Sequence, residues 1–218
     1  MKGDAIITRI LCTRIIPNAD AALLEKLGAP RGDRCLGIIS TDSDDVSYIA
    51  LDDATKRAEV RVLYAKSLYA GAKNASTRLA GEFIGVLSGP GPAEVRSGLE
   101  AAASCIRHDA HFLNADDAGS IYFLAHTVSQ SGTYLSKIAA VDRGTPLAYL
   151  IAPPAEALPA LDAALKAAKV SLKVFYGPPT ETNFAGAILS GEQAACRAVC
   201  EAFAQSVYGT AARPLDIE

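Results

Sequence analysis

The chain has no tryptophan, a single methionine, three histidines and only 6% aromatic residues, and its 21 basic side chains are outnumbered by 24 acidic ones. A surface with neither a basic excess nor aromatic platforms offers little to phosphates or stacked bases, which excludes nucleic acid as a partner. No apolar run approaches the roughly 20 residues that a bilayer-crossing helix needs, so no membrane is expected. The opening stretch MKGDAIITRILCTR breaks its short apolar run with Arg9 and Arg14, unlike a secretory signal. Five cysteines, an odd number at irregular spacing, do not suit a disulfide framework. They point to a reducing, cytosolic compartment in which thiols serve as small apolar side chains. What the chain does have is core material: half of its 218 residues are apolar, enough for one large domain or two small ones.

The apolar and polar residues are arranged in a repeat. Leu51, Asp52, Ala54, Lys56, Ala58 and Val60 recur 110 positions later as Leu161, Asp162, Ala164, Lys166, Ala168 and Val170, each time as a helix feeding a strand. Gly85, Ala93, Arg96, Glu100, Ala101 and Ala103 recur 101 positions later as Gly186, Ala194, Arg197, Glu201, Ala202 and Ala204. The unequal offsets place an insertion in the first copy, at AKSLYAGAKNASTRLAG (residues 65–81), which reads as a loop. In both copies a short strand (FIGVL, FAGAIL) meets a turn and then an amphipathic helix. Val95, Leu99, Ala102 and Ile106 line one helix face, and Cys196, Val199, Cys200, Phe203 and Val207 line the matching face of the other. Strands GIIS, YFLAHTVS and LAYLIA complete two small α+β units, each a sheet with helices on one face. The turn-rich RHDAHFLNADDAGS breaks the periodicity and marks the boundary, giving domains at 1–112 and 113–218.

Catalytic machinery is not evident. Cys196 and Cys200, at i and i+4, have metal-ligand spacing, but they replace the core residues Val95 and Leu99 of the other copy and read as packing. SGPGP lacks the spacing of a phosphate loop and reads as a strand-to-helix turn. His126 lies in a strand, and spacing alone does not give it Glu156 as a partner. The aspartates stand apart. Asp52 and Asp53 fit helix capping, whereas Asp42, Asp44 and Asp45 crowd like charge at the mouth of a buried strand. Such a cluster needs a cation or a water-filled space to screen it, and it draws cations in. Glu82 is a further acid suited to join it; its counterpart in the second copy is Asn183, so the two halves present unlike groups at equivalent places.

CLGIISTDSDDVSYIALDDATK (35–56) resembles the bacterial microcompartment shell proteins of ethanolamine utilisation, the EutL type. So do SLYAGAKNASTRLAGE (67–82), GPGPAEVRSGL (89–99), AYLIAPP (148–154) and PPTETNFAGAILSGEQAACRA (178–198). The similarity runs over nearly the whole chain. It implies two tandem, circularly permuted microcompartment (BMC) domains in each chain. Three chains would form a pseudohexagonal tile that packs edge to edge with other shell proteins. A gated central pore and three small acidic channels would pierce that tile, and the protein would not be an enzyme. In similar proteins ethanolamine binds in the small channels and favours the closed pore. Carried over by motif, its site here is Asp44, Asp45, Glu82 and Phe112 with Thr182, Asn183 and Phe184. The chemistry is that of a protonated amine meeting carboxylates while its hydroxyl finds an amide or backbone partner. The resemblance also implies a zinc site at His126 and Glu156, two ligands that a water or a neighbouring chain would have to complete. Gln130 stands where the family pattern carries arginine, which argues against the cobalamin binding of some members. Three other readings stay open on the residues alone. The chain could be a shell protein of a different microcompartment or a cytosolic regulator sensing an amine or metal. Least supported is a metal-dependent hydrolase built on His126, Glu156 and the aspartates.

Overall fold

A computed structural model describes residues 1–67, 82–178, 180 and 183–215. These residues form two compact units. The N-terminal unit is Thr8–Ala110 together with Gly132–Leu135; the C-terminal unit is Met1–Ile7, His111–Ser131 and the chain from Ser136 onward. The division expected at residues 112 and 113 is a single cut, whereas the units share the chain less simply: the first seven residues join the C-terminal unit and four residues of that half join the N-terminal one.

In the N-terminal unit, β2 (Ile10–Ile16), β3 (Cys35–Thr41), β4 (Arg61–Ser67) and β5 (Phe83–Gly89) make an antiparallel sheet in the order β2-β3-β5-β4. Helix α1 (Ala21–Lys26) follows β2, capped by the Asp20 carboxylate, which accepts from the Ala22 N–H at 2.9 Å. Helices α2 (Asp44–Arg57) and α3 (Pro92–His108) pack on each other and on the sheet. The α3 stripe read from sequence is buried: Val95, Leu99, Ala102 and Ile106 all face the core. Pro92 opens α3 with its ring at the first helical turn, where a missing N–H costs nothing.

The C-terminal unit repeats the plan. Its strands are β1 (Ala5–Ile6), β6 (Phe112–Asn114), β7 (Tyr122–Val128), β8 (Leu147–Ala152), β9 (Val170–Tyr176) and β10 (Ala185–Gly191), in the order β1-β6-β7-β8-β10-β9. Strands β7-β8-β10-β9 match β2-β3-β5-β4, and α4 (Thr133–Ala139), α5 (Pro154–Ala167) and α6 (Gln193–Ala212) take the chain positions of α1, α2 and α3. Cys196 and Cys200 are buried beside Phe203 and Phe123, and burial pushes the Cys200 thiol up to about 11. A thiol that stays protonated is a packing group, as the repeat indicated.

Three sequence expectations are corrected here. Asp52 and Asp53 do not cap a helix start: α2 begins at Asp44 with Ser43 before it, so Asp44 and Asp45 occupy its first turn, where the helix dipole favours acids. Residues 65–67 of the expected loop are the end of β4, and the rest of that segment lies outside the described residues. Phe112, expected in a boundary loop, starts strand β6 and is 6% exposed, because β6 pairs with both β1 and β7.

Asp52 does cap a helix, though not its own. Fully buried in α2, its Oδ2 accepts from the Gly132 N–H at 2.7 Å and its Oδ1 from the Leu135 N–H at 2.8 Å, while Thr55 Oγ1 accepts from the Thr133 N–H at 2.9 Å. Burial raises the Asp52 carboxyl; the two N–H donors and Lys56 pull it back. The approach is so close that a Cβ on Gly132 would lie 2.2 Å from Thr55 Oγ1 and 2.4 Å from the Asp52 carbonyl oxygen. By contrast, a Cβ on Gly209, inside α6, meets nothing within 4 Å. Gly132→Ala is expected to lose at least about 2 kcal/mol in urea unfolding. Gly209→Ala is expected to gain up to about 1 kcal/mol, since alanine replaces a helical glycine in open space. Equal effects from the two substitutions would contradict this account of the Asp52 grip.

Candidate functional site

Strand register assembles the acidic site. Thr41, the last residue of β3, pairs with Phe83, the first of β5, and Phe83 pairs with Ser67, the last of β4. Asp42 therefore leaves the sheet at the same end as Ser67, and Glu82 enters there. Helix α2 starts two residues beyond Asp42, so Asp44 and Asp45 stand over that same end. Asp44 and Asp45 are 8% and 6% exposed, a burial that carboxylates rarely tolerate without partners. Asp44 has them: its Oδ2 accepts from Ser67 Oγ at 2.7 Å and its Oδ1 from the Asp45 N–H at 2.9 Å. Asp42 turns outward, accepting from the Arg9 N–H and from Arg9 Nε, both at 2.7 Å. One of the three crowded aspartates is thus neutralised by an arginine that sequence spacing could not connect to it.

Glu82 closes the cluster. Burial pushes its carboxyl above the ordinary range, and the charges of Asp44 and then Asp42 push it further the same way. Each of these effects disfavours the anion, so a cation placed here would relieve all of them at once. The arrangement is chemically suited to a small ammonium group.

The remaining residues of the expected site lie in the C-terminal unit. Phe112, Tyr122 and Phe184 form an aromatic trio with ring centroids 5.6, 5.6 and 5.3 Å apart. Tyr122 was missed by sequence reading; it starts β7 opposite Asn114 of β6, a pairing that no sequence spacing marks. Asn183 has φ +64°, a left-handed conformation that asparagine tolerates better than most residues. Its N–H donates to the Thr180 carbonyl at 3.0 Å, and the Phe184 N–H donates to Thr180 Oγ1 at 3.2 Å, which fixes the turn that delivers Phe184 to the trio. Thr182 lies outside the described residues. The expected site thus draws Asp44, Asp45 and Glu82 from one unit and Phe112, Asn183 and Phe184 from the other.

His126 lies in β7 and Glu156 in α5. His126 pairs with Tyr149 in β8, and alternation along β7 puts it on the sheet face away from Phe123, which packs in the α5 and α6 core. Glu156 is buried in the first turn of α5. Among the described residues no group of three or more His, Cys, Asp or Glu side chains is placed to hold a metal ion. No helix among them is long and apolar enough to cross a membrane.

Glu82 also generates a stability prediction. Its folded pKa lies above its unfolded one, so its contribution favours the fold while it is protonated and is lost as pH rises through the folded value. In its ionised form it works against the fold. Glu82→Gln is expected to raise Tm at pH 7, with the gain shrinking as pH falls below the carboxylate range. A fall in Tm at pH 7 would show that Glu82 is a structural acid.

Comparison with known proteins places the chain. Residues 35–116 match the BMC domain family. The chain is 54% identical over 215 residues to the bacterial microcompartment shell protein EutL of Clostridium perfringens, covering 99% of each, and 48% identical over 212 residues to that of Escherichia coli, covering 97% of each. Among solved structures, the ethanolamine utilization protein EutL of Leptotrichia buccalis aligns with a TM-score of 0.95 at 56% identity, over 99% of this chain and 100% of that one. The EtuB structure from Clostridium kluyveri shares the fold at 21% identity, with a TM-score of 0.77 over 94% of this chain and 90% of that one. With tandem domains, the same order of elements in each and near-complete alignment, the chain belongs to the EutL family of bacterial microcompartment shell proteins.

Proposed function

We propose that the protein is a non-enzymatic shell tile of an ethanolamine-utilising microcompartment. Three copies form a pseudohexagonal unit with a gated central pore, and its small channels bind protonated ethanolamine. The observation that carries the binding part is the desolvated Glu82 carboxyl under the charge of buried Asp44, with Asp45 next in the first turn of α2. Their mutual repulsion and burial leave a site whose energy falls when an ammonium group enters. Phe112, Thr182, Asn183 and Phe184 enter the proposed site through the family resemblance alone. Ligand binding would bias the pore only by its difference in affinity between the open and closed forms.

A shell tile is favoured over a regulator because a relative 54% identical over 99% of this chain is a shell protein. Zinc at His126 and Glu156 would need a water or a neighbouring chain to complete its coordination.

Titration calorimetry with ethanolamine on the intact protein tests the reading. Binding is expected at pH 7 and is expected to weaken at least about tenfold in Asp45→Ala or Glu82→Gln, on the scale of one lost charge-assisted contact. The bound cation lowers the raised Glu82 carboxyl, so binding should release protons as pH approaches that group's titration range. The observed heat should then depend on the ionisation enthalpy of the buffer. Unchanged affinity in both variants would remove the acidic cluster from the site. A monomer at all concentrations in sedimentation, with no hexagonal layers by electron microscopy, would remove the tile.

A further inference from the structure

The N-terminal unit has a groove of about 570 Å³ between the edge strand β2 and helix α3. Its floor is apolar, from Ile10, Ile15 and Leu99, and three arginines stand around it: Arg14 from β2, Arg96 and Arg107 from α3. All three are exposed, and among the described residues none is ion-paired. Glu100 is the one acid in the lining. Arg96 and Arg107 lie on one helix face, eleven residues apart, which at ~1.5 Å per residue separates them by about 16 Å. A single phosphate or carboxylate cannot bridge that span, whereas about five extended residues can.

The duplicate half shows what such a place holds. There the strand equivalent to β2 is β7, and its outer edge is paired by β6, with Leu113 opposite Phe123 and Asn114 opposite Tyr122. The residue equivalent to Arg107 is Tyr208, whose ring lies under Lys2 Nζ at 4.5 Å, with the N-terminal strand β1 paired to β6. In the C-terminal unit, then, chain segments in extended conformation cover this edge and bring a cation to the end of the helix. In the N-terminal unit no strand among the described residues pairs with the outer edge of β2, and an arginine replaces the tyrosine.

From this the geometry points to a docking site for an extended, acidic polypeptide segment of a partner protein, laid along β2 and α3. Its backbone adds to the β2 edge, its apolar side chains meet Ile10, Ile15 and Leu99, and its carboxylates meet Arg14, Arg96 and Arg107. The exchange of Tyr208, a neutral ring that takes a cation, for the cation Arg107 selects an acidic occupant over a basic one. The absence of any aromatic residue from the lining gives bases no stacking surface, which favours polypeptide over RNA. The site is separate from the acidic cluster, and its failure would leave the ethanolamine reading intact.

Fluorescence anisotropy on the full-length protein at low salt tests it, using a labelled, end-blocked peptide of alternating glutamate and valine and a matching peptide of lysine and valine. The acidic peptide is expected to bind and the basic one not. Affinity should fall at least about tenfold in the double variant Arg96→Glu with Arg107→Glu. Should that variant misfold by circular dichroism, Arg107→Gln is expected to show a smaller loss in the same direction. Equal binding by wild type and variants, complete displacement by inorganic phosphate at the peptide's own concentration, or preferential binding of a single-stranded RNA of equal charge would overturn the proposal.

Discussion

Strand register is the constraint on which the functional reading depends. Thr41 opposite Phe83 and Phe83 opposite Ser67 bring three strand ends to one place. A slip of one residue would turn every side chain of the slipped strand to the other face, and β3 and β5, both buried, could not accept that. Their apolar side chains therefore hold the acids in position. Asp44 and Glu82 sit at the edge of a core that would exclude charge, and the core is what keeps them from separating. In the proposed site, repulsion that cannot be dissipated by moving apart is what would favour a cation.

Duplication lets one fold carry two kinds of end. At the position where the N-terminal unit has Glu82, the C-terminal unit has Asn183, held left-handed in a turn that feeds Phe184 to an aromatic trio. At the position where α2 has the buried Asp52, α5 has Asp162, which is exposed and pairs with Lys166 at 2.6 Å. The scaffold is shared and the polar chemistry is not. Asp52 shows how much such a difference can matter, since its carboxylate satisfies two backbone donors in a segment 80 residues away in sequence.

Much of this was legible in the chain, for identifiable reasons. The α3 and α6 stripes were readable because each helix buries only one face, leaving a clear period in Val95, Leu99, Ala102 and Ile106 and in their counterparts. Helix α2 was not, because it is buried on nearly all sides, with Val46, Ser47, Ile49, Ala50, Leu51 and Asp52 all inside. Without a polar face it shows no stripe, and its start was misplaced by eight residues, from Asp44 to Asp52. Strand β6 was hidden by its brevity and by the turn-forming residues around it. The acidic cluster could be suspected from Asp42, Asp44 and Asp45 alone, but the roles within it could not. Arg9, which neutralises Asp42, and Ser67, which supports Asp44, are brought in by strand pairing across 33 and 23 residues. The family resemblance supplied the aromatic and amide residues of the second unit, which no local pattern marks as belonging with the acids.

The most direct measurement is a crystal structure of the assembled protein grown with ethanolamine. The expected result is the ligand's nitrogen within hydrogen-bonding distance of the carboxylates of Asp44 or Glu82 and its carbon chain against the ring of Phe112 or Phe184. Ethanolamine bound elsewhere, with these carboxylates facing only water at saturating ligand, would contradict the claim that a desolvated acidic pair is what draws the amine in.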